Sequence, residues 1–284
     1  VRHGPDAGPR TVEPAGVALT GVDPQTILAA LLAGALIGFV LGLVGGGGSI
    51  LAVPLLVYVV GVTSPHVAIG TGAVAVAFNA LAGLAGHARA GTVKWPCAAV
   101  FATAGVVGAA LGAEAGKAFD GQRLLALFGV LMMVVGLAML RRRRAREAPE
   151  VRLTAATARP LLLRLVPIGF GVGLLAGFFG IGGGFLIVPG LIAATAMPIG
   201  AAIGSSLLAV SALGATTAAS YALSGLIDWA LVGWLVAGGI MGSVTGRLLG
   251  ARLAGRKRAL EIGFALAVIG VGLFVAAKGA ASFA

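Results

Sequence analysis

The stretch GLVGGGGSILAVP, Gly42 to Pro54, decides how this chain is read, and it returns in altered form as GFFGIGGGFLIVP, Gly177 to Pro189. Both copies lie inside long uncharged runs: no Asp, Glu, Lys or Arg stands between Asp23 and Arg89, nor between Arg164 and Asp228. Consecutive glycines make a poor helix interior, since each costs roughly 1 kcal/mol relative to alanine. In hydrocarbon, every backbone group freed by such a break also needs a partner. The first break is therefore expected to serve something. It exposes amide N–H groups and lets the following helix, beginning near Ser49, aim its positive end into the gap, an arrangement suited to an anion.

Composition sets the frame. The 284 residues are 59% hydrophobic and 10% charged, with a mean hydropathy of +1.06, against about 25% charged in soluble domains. The chain reads as an all-α polytopic membrane protein, and its apolar runs lack the alternation that a barrel needs. A net charge of +11 raises the question of nucleic acid. The basic residues, however, lie in short connections between apolar segments, which is the positive-inside pattern. The partners expected are the lipid bilayer and a small anion, with no nucleic acid; self-association is left open. With one cysteine, Cys97, there is no disulfide framework and no thiolate metal site. No cofactor or metal is expected. The first apolar segment reads as a retained span and not as a cleaved signal.

Apolar segments fall at 25–44, 49–62, 66–87, 95–113 and 124–140, and again at 161–179, 184–197, 200–222, 229–246 and 261–277. The second member of each set is short and carries a proline, Pro54 or Pro189. The expected organisation is a polar tail (1–24), a first membrane repeat (25–140), a basic linker (141–160), a second repeat (161–277) and a short tail (278–284). At one fixed offset Gly42, Gly45, Gly47, Gly48, Val53 and Pro54 match Gly177, Gly180, Gly182, Gly183, Val188 and Pro189. After a one-residue gap, Gly70, Gly91, Trp95, Gly105, Gly108 and Gly112 match Gly204, Gly225, Trp229, Gly239, Gly242 and Gly246.

If all five segments of each half cross, the basic connections 87–94, 141–164 and 247–258 share one side, expected to be the cytoplasmic side of a bacterial inner membrane. Five is an odd number, so the second repeat is inverted relative to the first. Treating the short segments as re-entrant gives four crossings and spoils the charge pattern. Glycine-broken segments at matching places in inverted repeats point to a substrate site near the bilayer midplane. The glycines of the fourth segments, Gly105, Gly108, Gly112, Gly238, Gly239, Gly242 and Gly246, read instead as close helix packing.

The paired GxxGGGGSxxxVP and GxxGIGGGxxxVP, each followed by an AIG[TS] element (Ala68 to Thr71, Ala202 to Ser205) and a glycine-to-tryptophan element (Gly91 to Trp95, Gly225 to Trp229), resemble the sulfite exporter TauE/SafE family over about 25–277. The resemblance implies a transporter of small sulfur-containing anions or carboxylate-bearing organosulfur compounds. Distant relatives that take up thiosulfate use several cysteines; this chain has only Cys97.

With no charged side chain in the two uncharged runs, an anion site there must be built from amides and hydroxyls. The candidates are Gly45, Gly46, Gly47, Gly48 and Ser49 with Gly182, Gly183 and Gly184 as amide nests, Thr71, Ser205 and Ser206 as hydroxyl donors, and Asn79 as an amide donor. Thr71, Ser205 and Ser206 serve equally well as partners of their own backbone, and Asn79 as an interhelical hydrogen bonder. His87 reads as a helix-end residue, with proton coupling as the alternative. Trp95 and Trp229 read as interfacial anchors, and Asp228 as a solvated loop residue.

No enzyme is expected. Gly45 to Ser49 lacks the lysine of a P-loop, and no acidic residue follows the glycines as dinucleotide binding requires. The function expected is export of sulfite, a sulfonate or a related anion by alternating access. The alternatives are an anion channel or a proton-coupled importer. A cation carrier would need intramembrane carboxylates or thiols.

Overall fold

The structure is a computed structural model that describes residues 23–44, 46–141, 157–252 and 257–281. Gly45, the terminal tails and most of the basic linker, including Arg142 to Arg144 and Arg146, lie outside the described residues. The elements, in order, are α1 (Pro24–Val44), a 3-10 turn (Gly46–Leu51), α2 (Ala52–Leu55), a π-helical turn (Leu56–Val60), α3 (Pro65–Arg89), α4 (Trp95–Lys117), α5 (Gly121–Arg141), α6 (Ala158–Phe179), α7 (Gly184–Thr195), α8 (Ile199–Leu223), α9 (Trp229–Arg252) and α10 (Lys257–Ala281). Eight of these are long and apolar enough to cross a membrane. Leucines such as Leu32, Leu163 and Leu273 stand exposed on the outside of the bundle, as lipid contact requires.

Local signals set the ends. Pro65 opens α3 behind Ser64, whose hydroxyl accepts from the Val67 amide, a placement that uses the missing proline N–H to advantage. Asp228 is not simply solvated: its carboxylate accepts from the Ala230 and Leu231 amides at 3.1 Å each and caps α9. Trp95 and Trp229 begin α4 and α9 and are exposed.

The fourth-segment glycines are helix-packing residues, as their spacing predicts. A Cβ on Gly38 would run into the backbone of Gly239, and one on Gly173 into that of Gly105. Gly34 meets Leu235 as Gly169 meets Phe101, and Gly42 meets Ser243 as Gly177 meets Ala109. Every one of these pairs maps onto its twin at the offset read from the sequence. The first helix of each half thus lies along the fourth helix of the other, parallel to it.

The remaining twins face each other. α3 packs on α8 with Gly70 by Tyr221, Gly83 by Leu207 and His87 by Gly204, so the two run antiparallel. α5 and α10 are antiparallel as well, with Gly129 against Gly272 and Ala276 and Gly136 against Ala265 and Ile269. Gly42, Gly86 and Arg247 line one cavity, so α1, α3 and α9 all end at a common pole, the Arg247 pole. α3 nonetheless begins at the opposite pole, beside Tyr221 and Leu226. The short broken element between α1 and α3 therefore carries the chain from one pole to the other, and α7 does the same in reverse between α6 and α8. At 12 residues, α7 is roughly 18 Å long, well short of a ~30 Å core.

Candidate functional site

The two breaks form differently. In the second half Gly180, Gly182 and Gly183 all hold left-handed φ values, +66°, +62° and +67°, a region that side chains with a Cβ avoid. α7 then starts at Gly184, with the Leu186 and Ile187 amides bonded to the Gly183 carbonyl. In the first half no regular helix begins near Ser49. A 3-10 turn starts at Gly46 and the α-helical stretch is only Ala52–Leu55. The helical run nonetheless continues without a gap from Gly46 to Val60 through 3-10, α and π turns, so both halves present a helix N-terminus at the break, α7 the more regular one. At Gly48 the turn is pressed back onto α1, where a Cβ would strike the Ile37 carbonyl.

Both breaks are buried at mid-depth and touch each other, the Gly46–Leu51 turn packing on α7. Gly182 rests against Val76 and Gly214, near the middles of α3 and α8. Gly47, Gly48, Ser49, Gly182, Gly183 and Gly184 are all buried.

The hydroxyls have specific work. Thr71 accepts the Asp228 amide at 2.9 Å and Ser205 accepts the Lys94 amide at 2.8 Å. These are one bond made twice, since Thr71 matches Ser205 and Lys94 matches Asp228 at the same offset. Each fastens the start of a central helix to the loop ahead of the other half's fourth helix. Ser206 donates to its own Ile203 carbonyl at 2.8 Å. Asn79 differs from all of these. It is 1% exposed at the middle of α3, and neither its amide nitrogen nor its oxygen has a hydrogen-bond partner. Its side chain is held against Gly239, one of the glycines through which α1 and α9 pack closely.

One turn beyond Asn79, a cavity of about 220 Å³ opens at the Arg247 pole. Its polar lining is Ser243, His87, Arg89 and Arg247. The Arg247 guanidinium lies directly on Gly86, where any side chain would displace it. No carboxylate pairs with Arg247 or Arg89 among the described residues. His87 Nδ1 is 3.0 Å from the Thr92 hydroxyl, which leaves Nε2 unpartnered. The cavity is lined by Gly42 and by none of the glycines proposed as amide nests.

Sequence reasoning missed Arg247 as a site residue because it assigned 247–258 to a loop. α9 instead continues to Arg252, which swings Arg247 inward over α3. The available signal was Gly86, a glycine one turn from a helix end and facing that loop's first arginine.

A bundle of eight apolar span-length helices with two short broken elements inside it fits a polytopic membrane transporter. The chain matches the profile of the Sulfite exporter TauE/SafE family over residues 30–275, and it belongs to that family. It is 50% identical to a probable membrane transporter protein of Xylella fastidiosa over 88% of this chain and 95% of the relative. It is 26% identical to the probable membrane transporter protein YunE of Bacillus subtilis, over 84% of this chain and 93% of the relative. A probable membrane transporter protein of Haemophilus influenzae is 27% identical, over 73% and 75%. No solved structure matches the chain.

Proposed function

We propose that this protein moves a small sulfur-containing anion, sulfite or a sulfonate, outward across the bacterial inner membrane by alternating access between two inverted repeats. The observation that carries the reading is the Arg247 cavity. It offers two guanidinium groups with no carboxylate partner among the described residues, one helical turn from the unpartnered buried amide of Asn79. Arginine is a strong partner for oxyanions because its planar fork matches two oxygens at once.

Helix direction supports the inversion: α3 and α8, like α5 and α10, are twins that run oppositely. The basic residues Arg89, Lys94, Arg247 and Arg252 fall toward the Arg247 pole, which the positive-inside rule assigns to the cytoplasm. The solute enters past Arg247 and Arg89, meets Asn79, and passes the mid-depth breaks at Gly46 to Ser49 and Gly182 to Gly184. Thr71 and Ser205 act as hydroxyl donors at the two ends of the path as the loops that they fasten part from them, with Ser206 beside Ser205.

Outward movement of one negative charge is favoured by about 2.3 kcal/mol per 100 mV of negative interior, so export needs no coupling ion. Sulfite flux in proteoliposomes under an imposed potential tests this. Saturable, voltage-driven flux with counterflow is expected. Flux that follows a proton gradient and ignores voltage overturns the uncoupled exporter in favour of the importer. Conduction without saturation or counterflow makes the protein a channel.

A further inference from the structure

The Arg247 cavity has a twin position at the other pole, and that position is filled. Carrying the lining residues across at the repeat offset puts Gly177 for Gly42, Thr217 for Gly83, Ser220 for Gly86 and Tyr221 for His87. The residues that take the place of the two glycines of α3 both bear hydroxyls.

Thr217 and Tyr221 lie one turn apart on the same face of α8, and both are fully buried. Neither hydroxyl has a hydrogen-bond partner. Buried hydroxyls in an apolar bundle normally find one, since leaving them unpaired is costly. The His66 ring is centred 6.4 Å from that of Tyr221, and its Nδ1 is also buried and unpartnered. The Lys117 ammonium stands 6.0 Å from the centre of the Tyr221 ring.

A polar clasp lies across the outer rim of this place, with the Glu114 side chain 66% exposed. Glu114 accepts from Lys117 at 2.8 Å and from the Ser220 hydroxyl at 2.8 Å. Lys117 also donates to the Ser220 carbonyl at 3.2 Å and to the Ser224 hydroxyl at 2.9 Å. These bonds tie the end of α4 to the end of α8, one helix from each half. A carboxylate here satisfies the donors that a free oxyanion would satisfy.

We propose that Lys117, Ser220, Thr217, Tyr221 and His66 form a second binding site for a small oxyanion at the Glu114 pole, with the Glu114 carboxylate seated in it as a tethered stand-in. The site rests on the transporter reading and is its far-side station. In the conformation seen, the Arg247 cavity is open and its twin is latched. When the twin opens, the solute displaces Glu114 from Lys117 and Ser220, and the orphan hydroxyls of Thr217 and Tyr221 gain their partner.

The probe is sulfite, used in two ways on the full chain. In membrane vesicles of the two orientations, the paired substitution Thr217→Val and Tyr221→Phe is expected to raise the half-saturating sulfite concentration at least tenfold from one face and to leave the other within twofold. Glu114→Ala is expected to lower it several-fold at that same face. In sulfite titration of purified protein, wild type is expected to show two classes of site, and the paired variant, checked as folded by its melting temperature, only one. Equal effects at both faces, or a single class of site in wild type, overturns the proposal whether or not flux is seen. Sulfite binding to both sites without saturable flux overturns the transporter reading alone.

Discussion

In the proposed function Asn79 is the inner donor of the solute path and Arg247 its outer cation. An amide buried with both ends unpaired lowers stability, by about 1–3 kcal/mol for each unsatisfied group. Its twin position holds Leu213, which shows what an apolar side chain does at that depth. Asn79→Leu should therefore leave the melting temperature of the purified protein unchanged or raise it, while sulfite flux falls at least tenfold. A loss of stability with normal flux would make Asn79 a packing residue. At the mouth, Arg247→Lys keeps the charge and loses the fork, so the half-saturating sulfite concentration should rise modestly. With Arg247→Ala it should rise tenfold or more. Equal affinity in both variants would remove Arg247 from the path. Asn79 was visible in the sequence because a lone amide in a long uncharged run stands out. Arg247 was not, because a charge at a segment boundary looks the same whether the helix stops before it or runs one turn further.

At the scale of elements, the close-packed pairs α1 with α9 and α4 with α6 bear most directly on stability. Gly38→Leu and Gly173→Leu press a side chain into the backbone of a neighbouring helix at equivalent contacts, and each should cost about 1–3 kcal/mol or more. Gly233→Leu, where a Cβ meets nothing within 4 Å, should be neutral in the same thermal melts. Equal destabilisation at all three would show that the glycines act through backbone freedom and not through packing. The breaks obey a different rule. Gly183 holds φ +67°, and a side chain there costs about 1–2 kcal/mol in backbone strain alone. Gly47→Leu and Gly183→Leu variants that reach the membrane should transport poorly. Normal rates in both would show that the breaks are not on the path. The glycine runs and their register were legible because the prolines fix one offset and, after a one-residue gap, the tryptophans fix the next. The unequal form of the two breaks was not: whether a glycine run winds as 3-10 or takes left-handed turns depends on what presses on it, here Ile37 on Gly48 and Ile69 on Gly180.

For the whole molecule, the exchange of first helices between halves makes each half unable to pack alone. α1 finds its groove on α9 and α6 on α4, so a half expressed without its partner would leave a glycine-lined face open. That exchange followed from the repeat register only once the contacts were known, since a register states which residues are equivalent and not which ones touch. A machine built this way, with no carboxylate in the uncharged runs to carry a proton or sodium ion, should respond to voltage alone. For a singly charged solute the equilibrium ratio across the membrane should change about tenfold for every 60 mV imposed, because about 1.4 kcal/mol is tenfold and 100 mV supplies about 2.3 kcal/mol per charge. For a doubly charged one it should change about a hundredfold. Proteoliposomes loaded with sulfite and clamped by potassium gradients at several potentials measure that slope. A slope near zero would place the driving force elsewhere, and a slope that appears only with a pH difference would assign it to a co-transported proton, with His87 at the Arg247 mouth and His66 at the far pole as the first groups to replace.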